Sequence, residues 1–361
     1  MTKAAELAKM GEVLTNGQIG GRRNMIINGA MNVAQRSTSA TGLGGSSGYF
    51  GLDRFQLFFA TAGRLTMSQE ADGPSGFANS MKLTCTTADT SIAATENIIL
   101  SQAIEAQDLQ QLKKGTSDAE KFTLSFYVKG NASAAYSVEV YDADNNRSIG
   151  QTFSVTTSWN RVVLTFDADT SGALNDDNGV GFYVNWWLHA GSNYTGGTFN
   201  TTWNDYVNNK RAGNTTSFLD STDRTFFITG VQLEVGSQAT PFEHRSFAEE
   251  LALCERYFYM TYPYGATIGA ASGESFLGRF LDGTQSYGSI QVPSVNMRAA
   301  PTKVIYNTAT GTVSQIRTDT QNVAAGITGT GTKGGGWIYV NAVSVGTSVS
   351  VKAHLTMDAE L

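Results

Sequence analysis

Residues 180–206, VGFYVNWWLHAGSNYTGGTFNTTWNDY, set aromatic side chains among amides and hydroxyls. Read as a strand, Phe182, Val184 and Trp186 share one face, while Tyr183, Asn185 and Trp187 share the other. The loop beyond adds Tyr194, Trp203 and Tyr206. A sugar ring has a flat C–H face and a rim of hydroxyls. Aromatic faces flanked by amides match both, and they lose little rotamer entropy on contact. Tyr183, Asn185, Trp187, Tyr194, Trp203 and Tyr206 are therefore the candidate carbohydrate-binding residues. Contact with a neighbouring subunit and packing beneath the long loop fit the same pattern, because exposed aromatics mark interfaces of every kind. Trp337 and Tyr339, which follow GTKGGG and share one face, pose the same choice.

Other chemistries find little support. The three histidines, His189, His244 and His354, have no second histidine at metal-ligand spacing, and His354 alternates onto the solvent face of the last strand. Neither cysteine sits in a C-x-x-C pair, and no nucleophile elbow, phosphate loop or H-E-x-x-H occurs. Glycan cleavage needs two carboxylates about 5–10 Å apart across a cleft. Asp167, Asp169, Asp176, Asp177 and Asp205 cluster near the loops, yet turns use acids of this kind to cap their own backbone. No catalytic residue is assigned. Asp142, Asp144 and Asn146 have the first spacings of a calcium loop, but Arg147 stands where glycine is needed and Phe153 where the bidentate glutamate belongs. A hairpin turn explains the stretch without metal. No cofactor is expected, structural calcium being the one left open.

The composition limits the partners. Charged residues make up 16% of the 361 residues, against roughly 25% in an average chain. The net charge of −6, with scattered Lys and Arg, gives no basic stripe for nucleic acid. No run has the apolar length of a membrane span. The N-terminus lacks the apolar centre of a secretory signal, so the expectation is synthesis in a cytoplasm, with Cys85 and Cys254 as buried free thiols.

The elements that must hold the aromatic stretch are strands. Residues 2–14 carry an early helical pattern too short to stand alone, followed by a glycine-rich tether. From about residue 24 the period becomes two. Phe122, Leu124, Phe126 and Val128 alternate with polar neighbours; Tyr136, Val138 and Val140 oppose Ser137, Glu139 and Tyr141; Val162, Leu164 and Phe166 follow. Such half-buried strands with almost no helix predict two antiparallel sheets on one core, an all-β sandwich of jelly-roll type. In 226–235, FFITGVQLEV, strict alternation puts Phe227, Thr229, Val231, Leu233 and Val235 on one face and Phe226, Ile228, Gln232 and Glu234 on the other. Ser246 and Glu249 then form a capping box for one short helix. The last hundred residues return to short strands, ending with Val349, Val351, Ala353, Leu355 and Met357 on a buried side. The expected division is an attachment segment 1–23, a jelly roll 24–245 and a smaller β-sandwich domain 246–361.

RNMIINGAMNVAQR, GYFGLDRFQ, the block 226–258, NMRAAPT and the terminal DAEL resemble tail-fibre and related virion proteins of tailed bacteriophages, notably marine ones. The similarity covers most of the chain. It implies a carbohydrate-binding-module-like jelly roll, a homotrimer, attachment to other virion proteins through the N-terminal segment, and residence in the virion. The combined expectation is a non-enzymatic tail fibre or receptor-binding protein engaging host surface glycan. The alternative is a capsid or tail decoration protein using the same folds for assembly, and a glycan depolymerase is the third reading.

Overall fold

A computed structural model describes residues 3–4, 22–213, 216–272, 296–318, 321–328 and 350–361, with strand segments at 276–279, 287–289 and 337–340. Apart from residues 3–4, the helix expected over 2–14 lies outside the described residues, as do the side chains of Trp337 and Tyr339. The chain packs as two units. One comprises 1–32, 41–48 and 55–245; the other comprises 33–40, 49–54 and 246–361. Residues 33–38 and 50–54, placed by sequence in the jelly roll, group with the second unit.

The second unit is built on β21 (Ser350–Asp358). One half of that strand lies between β15 (Phe276–Arg279) and β18 (Gln315–Thr318), the other between β14 (Phe258–Met260) and β17 (Thr302–Asn307). The sheet continues from β18 through β19 (Asn322–Thr328) and β20 (Trp337–Val340) to β16 (Tyr287–Ser289). Val351, Ala353, Leu355 and Met357 are buried together against Ile305, Ile316 and Val323. His354, expected on a solvent face, is buried instead. The Tyr262 ring stacks on it at 3.8 Å, and the Thr261 and Ser272 hydroxyls meet its two ring nitrogens. Both faces of β21 are covered, so alternation along it could not reveal a wet side. The helix Phe247–Glu255 begins with the capping box of Ser246 and Glu249.

The first unit is a jelly-roll sandwich. One sheet runs β1 (Ser39–Leu43), β4 (Arg64–Glu70), β5 (Ser80–Thr87), β13 (Thr225–Val235), β7 (Phe122–Gly130), β10 (Asn160–Phe166). The other runs β12 (Asn204–Asp205), β9 (Arg147–Val155), β8 (Ala134–Asp142), β11 (Val180–Ala190), β6 (Asn97–Glu105), β3 (Gln56–Ala60), β2 (Gly48–Tyr49). The chain passes repeatedly from one sheet to the other, so the strands' inward faces meet. Phe126 of β7 lies edge-on to Trp186 of β11 at 5.8 Å, and Tyr136 of β8 edge-on to Phe226 of β13 at 5.8 Å. Cys85 is buried here and Cys254 in the second unit; both are free thiols.

Strand β13 departs from strict alternation. Phe226 and Ile228 are fully buried, and so are Val231 and Leu233, which alternation had placed on the opposite face. The cause is a bulge between Thr229 and Gln232, where Gly230 adopts φ +62°. One extra residue shifts the pleat by one, so the apolar set is recovered on the core side. The bulge frees backbone groups that residues 24–29 take up. Val231 N–H donates to Gly29 O at 2.9 Å, Met25 N–H to Leu233 O at 2.9 Å, and Asn24 Nδ2 to Val231 O at 3.0 Å. Arg245 then holds the carbonyls of Asn24 and Ile26. The strand and its tail fasten residues 24–29 to the sandwich.

A Cβ on Gly230 would lie 2.8 Å from the Phe77 ring and 2.9 Å from the Tyr127 ring. Gly230→Ala is expected to cost about 1–3 kcal/mol, from left-handed backbone strain plus displacement of those rings. Denaturant titration of the two proteins checks it; an unchanged midpoint would contradict the bulge.

Candidate functional site

The seven-stranded sheet turns an outer face away from the core, and its register aligns side chains in rows. Tyr141 of β8 pairs with Tyr183 of β11; Glu139, Asn185 and Ser101 form the next row across β8, β11 and β6. Trp187 pairs with Ile99 of β6, which pairs with Phe58 of β3. The connection from β11 to β13 folds back over part of this face. Backbone bonds fix its course: Asn193 N–H to Ala94 O, Ala212 N–H to Tyr194 O, and Gly150 N–H to Asn200 O. Phe199 is wedged where a Cβ on Gly150 or Gly213 would come within 2.4 or 2.3 Å of its ring. Those two glycines let the loop lie directly on β9.

Between sheet and loop lies a cleft of about 340 Å³. Its aromatic lining is Phe58, Phe59, Tyr141, Tyr183, Tyr194 and Tyr206, joined by Asn97, Asn185, Arg211, Ser47 and Ile99. Tyr141 and Tyr183 run parallel, 14° apart with centroids at 6.1 Å, and Tyr206 adjoins Tyr141 at 4.8 Å. These rings are half-buried, so each keeps apolar surface open to a ligand. The hydroxyls are ordered too. Tyr141 donates to Asn146 Oδ1 at 2.8 Å, and Tyr206 donates to Asn208 Oδ1 at 3.0 Å. Burial pushes the pKa of both phenols up, so they stay protonated donors near neutral pH. Asn97 gives its amide hydrogens to Thr95 O and the Tyr194 hydroxyl, leaving its oxygen as an acceptor for a ligand hydroxyl.

Beneath the cleft sits the Glu139 carboxylate, 1% exposed. Arg211 meets it with two groups, Nε at 2.9 Å and Nη2 at 2.8 Å. Asn185 Nδ2 donates at 3.0 Å and Trp187 Nε1 at 3.2 Å. Asn185 Oδ1 accepts from Ser101 at 2.7 Å, and Arg211 Nη1 donates to the Tyr206 hydroxyl at 2.9 Å. Burial opposes the Arg211 charge, but Glu139, aided by Tyr206 and Tyr141, outweighs it and holds the guanidinium above its ordinary pKa. The guanidinium also lies 4.8 Å from the centroids of both Trp187 and Tyr206.

Of the six residues singled out by sequence, Tyr183, Tyr194 and Tyr206 line the cleft. Asn185 lies on its floor, with its carbonyl and one amide hydrogen already engaged. Trp187 faces the expected side but is fully buried, because Tyr194 covers it at 5.0 Å and Arg211 lies over its ring. Trp203 is elsewhere. It packs on Phe122 and Phe182 at the end of the core, and its indole N–H donates to Asp167 O. Phe58, Asn97, Glu139, Tyr141 and Arg211 were not singled out. Glu139 and Tyr141 left a signal, since their alternation already put them on the face away from Tyr136; Arg211, inside a polar loop, left none.

The loop considered for calcium is a hairpin turn between β8 and β9. Its carboxylates diverge: Asp144 bonds Asn175, while Asp142 meets the Lys114 ammonium at 2.6 Å. That ammonium also contacts Asp169 at 3.1 Å and the carbonyls of Ser171 and Gly172 at 2.8 and 2.9 Å. Burial alone would raise the pKa of Asp169, but bonds from Arg147, Ser171 N–H and Lys114 pull it below the usual value. A side-chain cation thus sits where these oxygens converge. No cluster of three or more metal-ligating side chains occurs among the described residues.

Trp187→Ala is expected to destabilise the sandwich by about 3–5 kcal/mol, as a buried tryptophan does anywhere in a core. A thermal melt compared with Trp186→Ala checks this. A stable Trp187→Ala protein would mean the ring is not packed as described.

No family model matches this sequence. No curated protein matches it. Among solved structures, the chain is similar to a family 11 carbohydrate-binding module from Clostridium thermocellum in complex with a β-1,3-1,4-mixed-linked tetrasaccharide, at 12% identity over 58% of this chain and 99% of that one, with a TM-score of 0.29. A structure described as CBM4 is 13% identical over 58% of this chain and 97% of that one, with a TM-score of 0.30. The enzymatically active domain of tailspike protein 4 from bacteriophage CBA120 is 15% identical over 59% of this chain and 21% of that one, with a TM-score of 0.29.

Proposed function

We propose that this protein is a non-enzymatic phage virion component, a tail fibre or receptor-binding protein that holds host surface glycan in the cleft of its jelly roll. The observation that carries the reading is the cleft itself. Parallel tyrosines, a third tyrosine beside them, and an amide acceptor at the rim fit the alternating apolar faces and hydroxyls of a pyranose chain. The virion assignment rests on the resemblance of the stretches quoted above.

The absence of carboxylates from the lining supports binding over cleavage. Two would be needed to protonate a leaving oxygen and activate water or attack the sugar. Glu139, beneath the floor, is buried and ion-paired to Arg211.

Tyr183→Ala and Tyr206→Ala are each expected to weaken binding to host envelope glycan about tenfold, since a lost stacking partner at a partly wet site costs about 1–2 kcal/mol. Calorimetric titration with isolated host polysaccharide, backed by an unchanged melt, reads this directly. Full affinity in both variants would remove the cleft from the glycan reading.

The same reading includes a homotrimer, which multiplies weak sites through avidity. Light scattering of the purified full chain at micromolar concentration should give three times the chain mass, and a clean monomer would rule the trimer out.

A further inference from the structure

Resting on the glycan reading, we propose that the cleft selects uncharged glycans over acidic ones, and that Glu139 enforces this choice by cancelling the charge of Arg211. Arg211 is the one charged side chain among the residues lining the cleft. Left unpaired, a guanidinium flanked by aromatic faces would attract a uronate, sialate or sulfate through a charge-assisted, two-pronged bond. Here that fork is already filled. Nε and Nη2 both point to the Glu139 carboxylate at 2.8–2.9 Å, the geometry an acidic ligand would require.

An incoming carboxylate would therefore meet a neutral pair. It would lose water without gaining an unopposed counter-charge, and would lie close to the Glu139 charge beneath. A hydroxyl-rich neutral sugar faces no such penalty. Arg211 uses three of its five N–H groups on Glu139 and Tyr206. Two remain for sugar oxygens, beside protonated tyrosine hydroxyls. Glu139 does not line the cleft, so its part is to position and neutralise, while Arg211 makes the contact.

The test is a calorimetric or array comparison of the intact protein against length-matched neutral oligosaccharides and oligouronates at low and high salt. The wild type should prefer the neutral series at least tenfold, with an affinity insensitive to salt. Glu139→Gln, which keeps the shape and removes the charge, should shift the neutral-to-acidic ratio at least tenfold toward the uronates, and added salt should abolish that gain. Should Glu139→Gln fail to fold, Glu139→Asp, which draws the carboxylate back from the guanidinium and leaves Arg211 less fully opposed, should shift the ratio the same way by a smaller factor that added salt again abolishes; a folded Glu139→Asp protein with an unchanged ratio would overturn the inference. A wild type that binds oligouronates as well as neutral chains would overturn the inference and leave the glycan reading intact. So would a Glu139→Gln protein that is folded and unchanged in ratio. Binding of neither series, by the wild type, would defeat the glycan reading and the inference with it.

Discussion

The architecture of the cleft depends on one buried carboxylate. A carboxylate at the Glu139 position would destabilise the fold by several kcal/mol if left unpaired. The donors it requires come from two places in the chain: Asn185 and Trp187 on the adjoining strand, and Arg211 at the end of the long loop. Satisfying Glu139 thus fixes where that loop must return. Once Arg211 is seated, Tyr206 is held through its hydroxyl, and Tyr194 lies against the Trp187 ring. The aromatic walls follow from an electrostatic need beneath them.

This explains which parts of the site could be read from the sequence. Alternation along β11 correctly separated Trp186, inside the core, from Tyr183, outside it, because the pleat alone decides the face. It could not decide exposure. Trp187 lies on the outer face yet is fully buried, since the covering groups, Tyr194 and Arg211, come from the loop that follows the strand. Trp203 shares the loop's polar surroundings, but the open end of the core drew it to Phe122 and Phe182. Periodicity reports what neighbours in the chain do; it carries no trace of what folds over them later.

The same limit appears in β13 and β21. In β13 a single glycine in the left-handed region moves the apolar set from one parity to the other. A strand pattern containing glycine is therefore ambiguous by one residue beyond that point. The sandwich was still legible because each half of the strand keeps its own alternation: Phe226 and Ile228 before the break, Val231 and Leu233 after it. For β21 the fault was different. Polar His354 implied water, although two hydroxyls and a tyrosine ring satisfied it inside the second unit.

Several of the few charges in the sequence are inside. Lys114 is buried among Asp142 and Asp169, Glu139 beneath Arg211, and Arg54 against Glu360 under the Tyr257 ring. Buried pairs of this kind add little net stability compared with apolar packing, yet removing one partner costs about 3–5 kcal/mol. They penalise any loop arrangement that leaves a partner unmatched. For a cleft roofed by a long polar loop with few apolar anchors, that penalty is a means of keeping the aromatic walls in place before a ligand arrives. A site so ordered loses less entropy on binding. The affinity of a few weak sugar contacts then depends on the ionic pairs under the cleft as well as on the rings that face it.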